Sequence, residues 1–263
     1  MTDKPVKRTV PRISAAKRRD GAEPLVMVTA YDAPSARVAH EADVDLILVG
    51  DSVAMVVLGY HDTLQVTVDD MAHHTAAVAR ARPNAVIVGD LPWMSYHVSI
   101  EESVRNAAEL NRAGAHCVKL EGGVKRLPVI RAILDAEIPV MGHIGLTPQS
   151  ANVMGGFKVQ GREVQAALAM IADAQALEET GCFSLVIEGV PHEVGGHITE
   201  SVGIPTIGIG AGADTDGQVL VYHDLIGLEN RFKPRFVRRY GTAFTDQVDA
   251  VAAYAQEVRK GAF

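Results

Sequence analysis

Eight short apolar runs, separated mostly by stretches of helical period, restrict this chain's fold more than any other feature of its sequence. They occupy residues 25–30, 45–50, 85–89, 117–120, 138–142, 183–187, 205–210 and 218–222. A strand with one wet face alternates apolar and polar residues. A strand covered on both faces is apolar almost throughout, as these are, and that is the condition of a parallel sheet. The segments between them supply the cover. Thr67-Val-Asp-Asp70 has the form of a capping box, ahead of an apolar stripe through Ala76, Val78 and Ala79. Residues 100–113, 124–136 and 162–180 read as further helices, and 244–260 as an amphipathic helix. Eight strands alternating with helices over ~200 residues predict an α/β fold, a single closed (β/α)8 TIM barrel, with an open doubly wound sheet as the competitor. No low-complexity linker interrupts residues 23–263, so they read as one barrel domain carrying a C-terminal helix, behind a basic, helical N-terminal arm of residues 1–22.

Composition narrows the function classes. At 48% apolar and 22% charged, the chain is not of the disordered type. Cys117 and Cys182 both lie in apolar surroundings and make no disulfide framework, which points to a reducing, cytoplasmic location. No apolar run approaches the ~20 residues that span a bilayer, and no signal-peptide core is visible, so no membrane partner is expected. Residues 1–20 hold seven basic side chains (Lys4, Lys7, Arg8, Arg12, Lys17, Arg18 and Arg19) against Asp3 and Asp20, leaving 18 basic against 30 acidic side chains elsewhere. The arm has no aromatic residue for base stacking and the acidic body repels phosphate, which argues against nucleic acid. It is expected instead to be a frayed tail followed by a short helix packed on an acidic surface.

The residues that close the apolar runs point to chemistry. Asp51, Asp90, Glu121, His143 and Glu188 each come at or just after the end of one. In a (β/α)8 barrel those strand ends form one rim, where active sites sit. A single acid there is commonly a helix cap. Five ionisable residues, with no glycine or serine among them, point to a site instead. Acids so gathered repel one another at low dielectric unless a cation is present, and hard oxygen ligands without paired Cys or His suit Mg²⁺. Positions left free on such an ion fit a small bidentate ligand, for instance an α-keto acid.

Strand alternation puts Cys117, Lys119 and Glu121 on one face, so Lys119 enters the barrel if Glu121 does. Such a lysine is either a Schiff-base nucleophile or a cation held among carboxylates. Gly208-Ile-Gly-Ala-Gly212 is open to two readings, a phosphate cradle or glycines needed for a tight turn and close packing. Residues 152–161 read as a flexible loop, either a cover for the mouth or an ordinary connection. His73-His74 lies in a helical pattern and is expected to serve surface or packing roles.

Several motifs resemble one family. Thr29-Ala-Tyr-Asp32, Val49-Gly-Asp-Ser52, Asp90-Leu-Pro92, Val118-Lys-Leu-Glu-Gly-Gly123, Gly142-His-Ile-Gly-Leu-Thr-Pro-Gln149 and Pro205-Thr-Ile-Gly-Ile-Gly-Ala-Gly212 occur in the order seen in ketopantoate hydroxymethyltransferases. Asp216-Gly-Gln-Val-Leu-Val221 and Asp224-Leu-Ile-Gly-Leu228 extend the match. The resemblance implies a (β/α)8 barrel that uses Mg²⁺ and methylenetetrahydrofolate to hydroxymethylate 3-methyl-2-oxobutanoate, giving 2-dehydropantoate on the way to pantothenate and coenzyme A. It also implies a large homo-oligomer, a decamer of two pentameric rings. By position, Asp51, Asp90 and Glu121 match the metal-site acids, Asp51 and Asp90 also lying at the substrate. Ser52 and Lys119 match residues that contact the keto acid, His143 one that lines its pocket, and Glu188 the base. Trp93 stands where phenylalanine is more usual and Gly189 where cysteine is frequent; neither change touches an ionisable group. The rivals are a Mg²⁺-dependent lyase or mutase of the phosphoenolpyruvate type on a similar barrel, and a non-enzymatic scaffold. The scaffold predicts lost rim acids, and all of them are present.

Overall fold

A computed structural model describes residues 7–18, 22–229 and 234–263. Asp3, Lys4, Arg19 and Asp20 of the basic arm, and with them the expected frayed tail, lie outside those residues. The chain forms two compact units, Met1–Val219 and Leu220–Phe263.

Each apolar run becomes a strand: β1 Leu25–Thr29, β2 Leu46–Val49, β3 Val86–Asp90, β4 Cys117–Lys119, β5 Val140–Gly145, β6 Ser184–Glu188, β7 Thr206–Ile209 and β8 Gly217–Leu220. They stand in sequence order around a closed barrel, with parallel pairing from β1–β2 through β7–β8. Closure excludes the open sheet. Every residue of β2, β3 and β4 is buried, which is why those runs show no polar alternation. The barrel interior is filled by alternate residues: Leu46 and Leu48, Val86 and Val88, Cys117, Met141, Val186 and Ile207.

Helices form where their signals lie. Thr67 and Asp70 make a reciprocal capping box for Val68–Arg80, and Ile100–Ala113 is capped by Ser99 and stopped by Gly114 at φ 116°. The single helix expected over 124–136 is instead a 3-10 turn, Val124–Arg126, followed by the helix Leu127–Asp135. Pro128 explains the restart, because its ring and missing N–H fit only the first turn of a helix. The expected loop over 152–161 begins as a helical turn, Ala151–Met154, which Gly155 ends at φ 71°. His73 is exposed on its helix, whereas His74 Nδ1 lies 2.7 Å from the Tyr31 carbonyl oxygen. Both cysteines are free and buried. Among the described residues no helix is long and apolar enough to cross a membrane.

The arm packs as its charge suggests. The short helix Val10–Ser14 buries Ile13 in the same cluster as the strand-start residues Leu25, Leu46 and Val86. Arg8 bridges Asp43 and Asp45 at 2.7 and 2.6 Å. Asp216, 2% exposed, accepts hydrogen bonds from Lys17 Nζ, the Arg18 N–H and both the N–H and hydroxyl of Thr206. Removing that carboxylate leaves the Lys17 ammonium without its counter-ion in a nearly buried place. Asp216→Ala is therefore expected to lose about 3–5 kcal/mol of stability, read from urea unfolding midpoints.

The second unit contains the helices Tyr222–Leu225 and Ala243–Arg259. Val248, Val251, Tyr254 and Val258 of the longer helix are exposed, and the Tyr254 and Phe263 rings meet edge to face.

Candidate active site at the barrel mouth

Strand parity builds the site. Two residues beyond an inward core residue, the next inward position is Asp90 after Val88, Lys119 after Cys117, His143 after Met141 and Glu188 after Val186. The same step from Lys119 reaches Glu121, and Asp51 lies two residues past the end of β2. The rim residues expected from the sequence thus lie at or just past the C-terminal ends of neighbouring strands, except His143, which is two residues inside the end of β5. Register fixes the closest pair, since Asp90 and Lys119 are direct partners across β3 and β4.

The contacts are continuous. Lys119 Nζ lies 2.7 Å from Asp90 Oδ1, and the Asp51 N–H donates to Asp90 Oδ2 at 3.1 Å. Lys119 Nζ is also 3.3 Å from His143 Nδ1, which stands 3.6 Å from Glu121 Oε1. On the other edge of the ring, His143 Nε2 lies 3.3 Å from Glu188 Oε2 but has no aligned hydrogen-bond partner among the described residues. Ser52 Oγ is 2.9 Å from the Tyr31 hydroxyl. Glu188 retains 18% side-chain exposure, against 1–4% for Asp90, Lys119, Glu121 and His143, so it is the ionisable group of this set most open to the mouth.

Burial governs the charges. It raises the Asp51 carboxyl above its usual range, with Lys119 and Gln149 opposing, and raises Glu121 well above its own. It pushes Asp90 up to about 7 against the pull of Lys119, with Asp51 adding to the rise. Glu188 is likewise pushed to about 7 by burial, Lys119 opposing. Burial and Lys119 both lower His143, which is therefore a neutral imidazole. With Lys119 donating toward Nδ1, its hydrogen belongs on Nε2, facing Glu188. Burial alone would lower Lys119, but Asp90, Glu121 and Asp51 outweigh it and hold the ammonium above its ordinary value.

Four carboxyl groups thus share one ammonium in a dry mouth, a donor set that fits a hard cation. Among the described residues no three His, Cys, Asp or Glu groups are close enough to cage a metal by themselves. Asp51 and Asp90 adjoin, while Glu121 is reached through Gln149. That suits Mg²⁺, which takes one or two carboxylates and completes its octahedron with water and substrate oxygens.

Two residues given no role in the sequence reading belong here. Gln149 donates through Nε2 to Asp51 Oδ2 at 2.9 Å and through its N–H to Glu121 Oε2 at 3.0 Å, and the Tyr96 hydroxyl donates to Gln149 Oε1 and accepts from the Glu121 N–H. Their signal is faint: Gln149 sits in the single 3-10 turn Pro148–Ser150 and Tyr96 in a loop, neither with a periodic pattern. Of the two readings of the glycine loop, packing is the one with a contact behind it: a Cβ on Gly212, at φ 85°, would collide with His192. Gly189 lies in the left-handed region at φ 59°, and its carbonyl accepts from the Gln160 N–H, tying the 155–163 segment to the residue after Glu188. Trp93 is 42% exposed.

Comparison with known proteins places the chain in a family. A family model described as ketopantoate hydroxymethyltransferase matches residues 7–263. The chain is 53% identical to 3-methyl-2-oxobutanoate hydroxymethyltransferase 2 of Bradyrhizobium diazoefficiens, over 100% of this chain and 89% of that protein. It is 54% identical to 3-methyl-2-oxobutanoate hydroxymethyltransferase of Moorella thermoacetica, over 97% of this chain and 94% of that one. Among solved structures, phosphonopyruvate hydrolase superposes with a TM-score of 0.65 at 14% identity, over 97% of this chain and 88% of that one. A 2,3-dimethylmalate lyase, of the PEP mutase/isocitrate lyase superfamily, gives 0.60 at 18%, with the same coverage. At such identities the lyase and hydrolase likeness is one of fold alone.

Proposed function

The chain belongs to the ketopantoate hydroxymethyltransferase family, and from that premise we propose how its barrel mouth carries out the reaction. The chain is a transferase that places a hydroxymethyl group on 3-methyl-2-oxobutanoate. Its one-carbon donor is methylenetetrahydrofolate and its product 2-dehydropantoate, a precursor of pantothenate and coenzyme A. Asp51 and Asp90 would hold a Mg²⁺, with Glu121 as the third acid of the set. When bound, that ion supplies Lewis acidity toward the keto oxygen.

This chain's own groups do the rest. Lys119, fixed against Asp90, offers its ammonium to the substrate carboxylate, and the Ser52 hydroxyl orients the same end. Glu188 removes the proton from C3, beside the ketone. A carboxyl poised near neutrality is a competent base at cellular pH, and it is the one carboxyl with open access. His143, a neutral imidazole with Nε2 3.3 Å from Glu188 Oε2, stands between the base and the Lys119 group. Water adds to the methylene carbon of methylenetetrahydrofolate, and cleavage of its two C–N bonds leaves tetrahydrofolate and formaldehyde. The C3 carbanion then bonds to the formaldehyde carbon, and the proton held by Glu188 passes to the new alkoxide to complete the hydroxymethyl group. The carrying observation is the placement of Glu188 across His143 from the Asp51–Asp90–Lys119 group.

The assembly is a homodecamer working in the cytoplasm, and the exposed apolar residues of Ala243–Arg259 are surface that such an assembly can cover. One preparation tests these points. In D₂O with Mg²⁺ and no folate, 3-methyl-2-oxobutanoate should exchange its C3 proton by NMR. Adding methylenetetrahydrofolate should then yield 2-dehydropantoate, and sedimentation should give a mass of about ten chains. A fast exchange that persists in Glu188→Gln would remove Glu188 from its role.

A further inference from the structure

Gln149 follows β5 and is 5% exposed, yet every hydrogen-bonding group on its side chain is engaged. The direction of those bonds is set from a backbone N–H. The Glu121 N–H donates to the Tyr96 hydroxyl at 3.2 Å, so that hydroxyl must turn its own hydrogen to another acceptor. The acceptor is Gln149 Oε1, 2.5 Å away. With Oε1 committed, the amide nitrogen faces the other side, where Asp51 Oδ2 lies at 2.9 Å and the Leu91 carbonyl at 3.0 Å. The Gln149 N–H meanwhile donates to Glu121 Oε2 at 3.0 Å. One residue therefore grips Asp51 with its side chain and Glu121 with its backbone, and Tyr96 decides which way its amide points.

We propose that Gln149, oriented by Tyr96, is a positioning residue that holds Asp51 and Glu121 at the spacing a Mg²⁺ and the keto acid require. The proposal rests on the mouth being that cation site. Those bonds engage Asp51 Oδ2 and Glu121 Oε2, while Glu121 Oε1 stands 3.6 Å from His143 Nδ1. A reversed amide would set its carbonyl oxygen against Asp51 and turn a donor into a repulsion. Mg²⁺ demands near-octahedral geometry, so it is sensitive to small changes in carboxylate aim. Outer-shell partners of metal ligands are worth 10–100-fold in affinity or activity when removed.

The test is calorimetric titration of MgCl₂ into the full chain, the Tyr96→Phe variant and the Gln149→Met variant, alongside thermal melting. Each variant should bind Mg²⁺ about 10–100-fold more weakly. The double variant should lose no more than Gln149→Met alone, because the two residues act as one unit. Tyr96→Phe, at saturating Mg²⁺, should recover kcat to within a few-fold while its half-saturating Mg²⁺ concentration stays raised. A role in packing alone would lower the melting temperature without that split. Should Gln149→Met not fold, Tyr96→Phe, which removes a single oxygen, decides the matter. Unaltered affinity in the folded variants overturns the positioning role; absent Mg²⁺ binding by the unaltered chain overturns the cation site and the proposal with it.

Discussion

Glu188→Gln should lower kcat by roughly 10²–10⁴-fold, the usual worth of a positioned general base, with a much smaller change in the KM for 3-methyl-2-oxobutanoate. The amide keeps the shape and the contact with His143 Nε2 but cannot accept the C3 proton. In the unaltered enzyme the base works only when ionised, and burial has pushed its carboxyl to about 7. Below that pH, kcat/KM should fall about tenfold per unit and level off above it. A profile flat from pH 5 to 8 would show that Glu188 is not the base. The same shift has a consequence for stability. A folded-state value above the unfolded one means that protonation favours the folded state, so the contribution is complete below about 4.5 and is lost as pH rises through about 7. Glu188→Gln should therefore be more stable than the parent at pH 8, on the order of 2–3 kcal/mol, and no more stable at pH 4. Denaturant titrations of the ion-free proteins at the two pH values measure the difference.

The barrel was legible because burial on both faces leaves a signature in every strand, and the rim acids because strand ends are easy to find once the strands are. Asp90 and Glu188 turned out to be the last residues of β3 and β6, and His143 an interior residue of β5, each displaced by about a residue from the run that announced it. Parity, which the sequence does carry, then placed Lys119 inside. What stayed hidden was the support. Gln149 lies in a single 3-10 turn and Tyr96 on a loop, and their importance comes from a chain of hydrogen bonds across 25 and 53 residues that no local pattern encodes. The break in the helix at Pro128 was available to sequence reasoning, since proline tolerates only a first turn, but the strong apolar period around it masked the interruption.

Chelation should remove activity altogether, and borohydride should capture nothing on Lys119. Aldol-type carbon–carbon bond formation proceeds either through a lysine Schiff base or through a metal-stabilised enolate, and the two demand opposite states of the lysine. A Schiff base needs a neutral amine. Lys119 Nζ instead sits 2.7 Å from Asp90 Oδ1, and Asp90, Glu121 and Asp51 hold it protonated despite its burial. It is a poor nucleophile in that setting, and its charge is needed to offset the acids around it, because His143 beside it is neutral. Lys119→Met should consequently bind the keto acid at least tenfold more weakly and lose stability, about 3–5 kcal/mol, because Asp90 is left buried without its partner. Asp90→Asn should weaken Mg²⁺ binding while keeping the fold. EDTA should cut turnover to background, and excess Mg²⁺ should restore it. Mass spectrometry of enzyme treated with borohydride and 3-methyl-2-oxobutanoate reads the alternative directly: a reduced adduct on Lys119, with turnover intact in EDTA, would establish the amine mechanism in place of the one proposed.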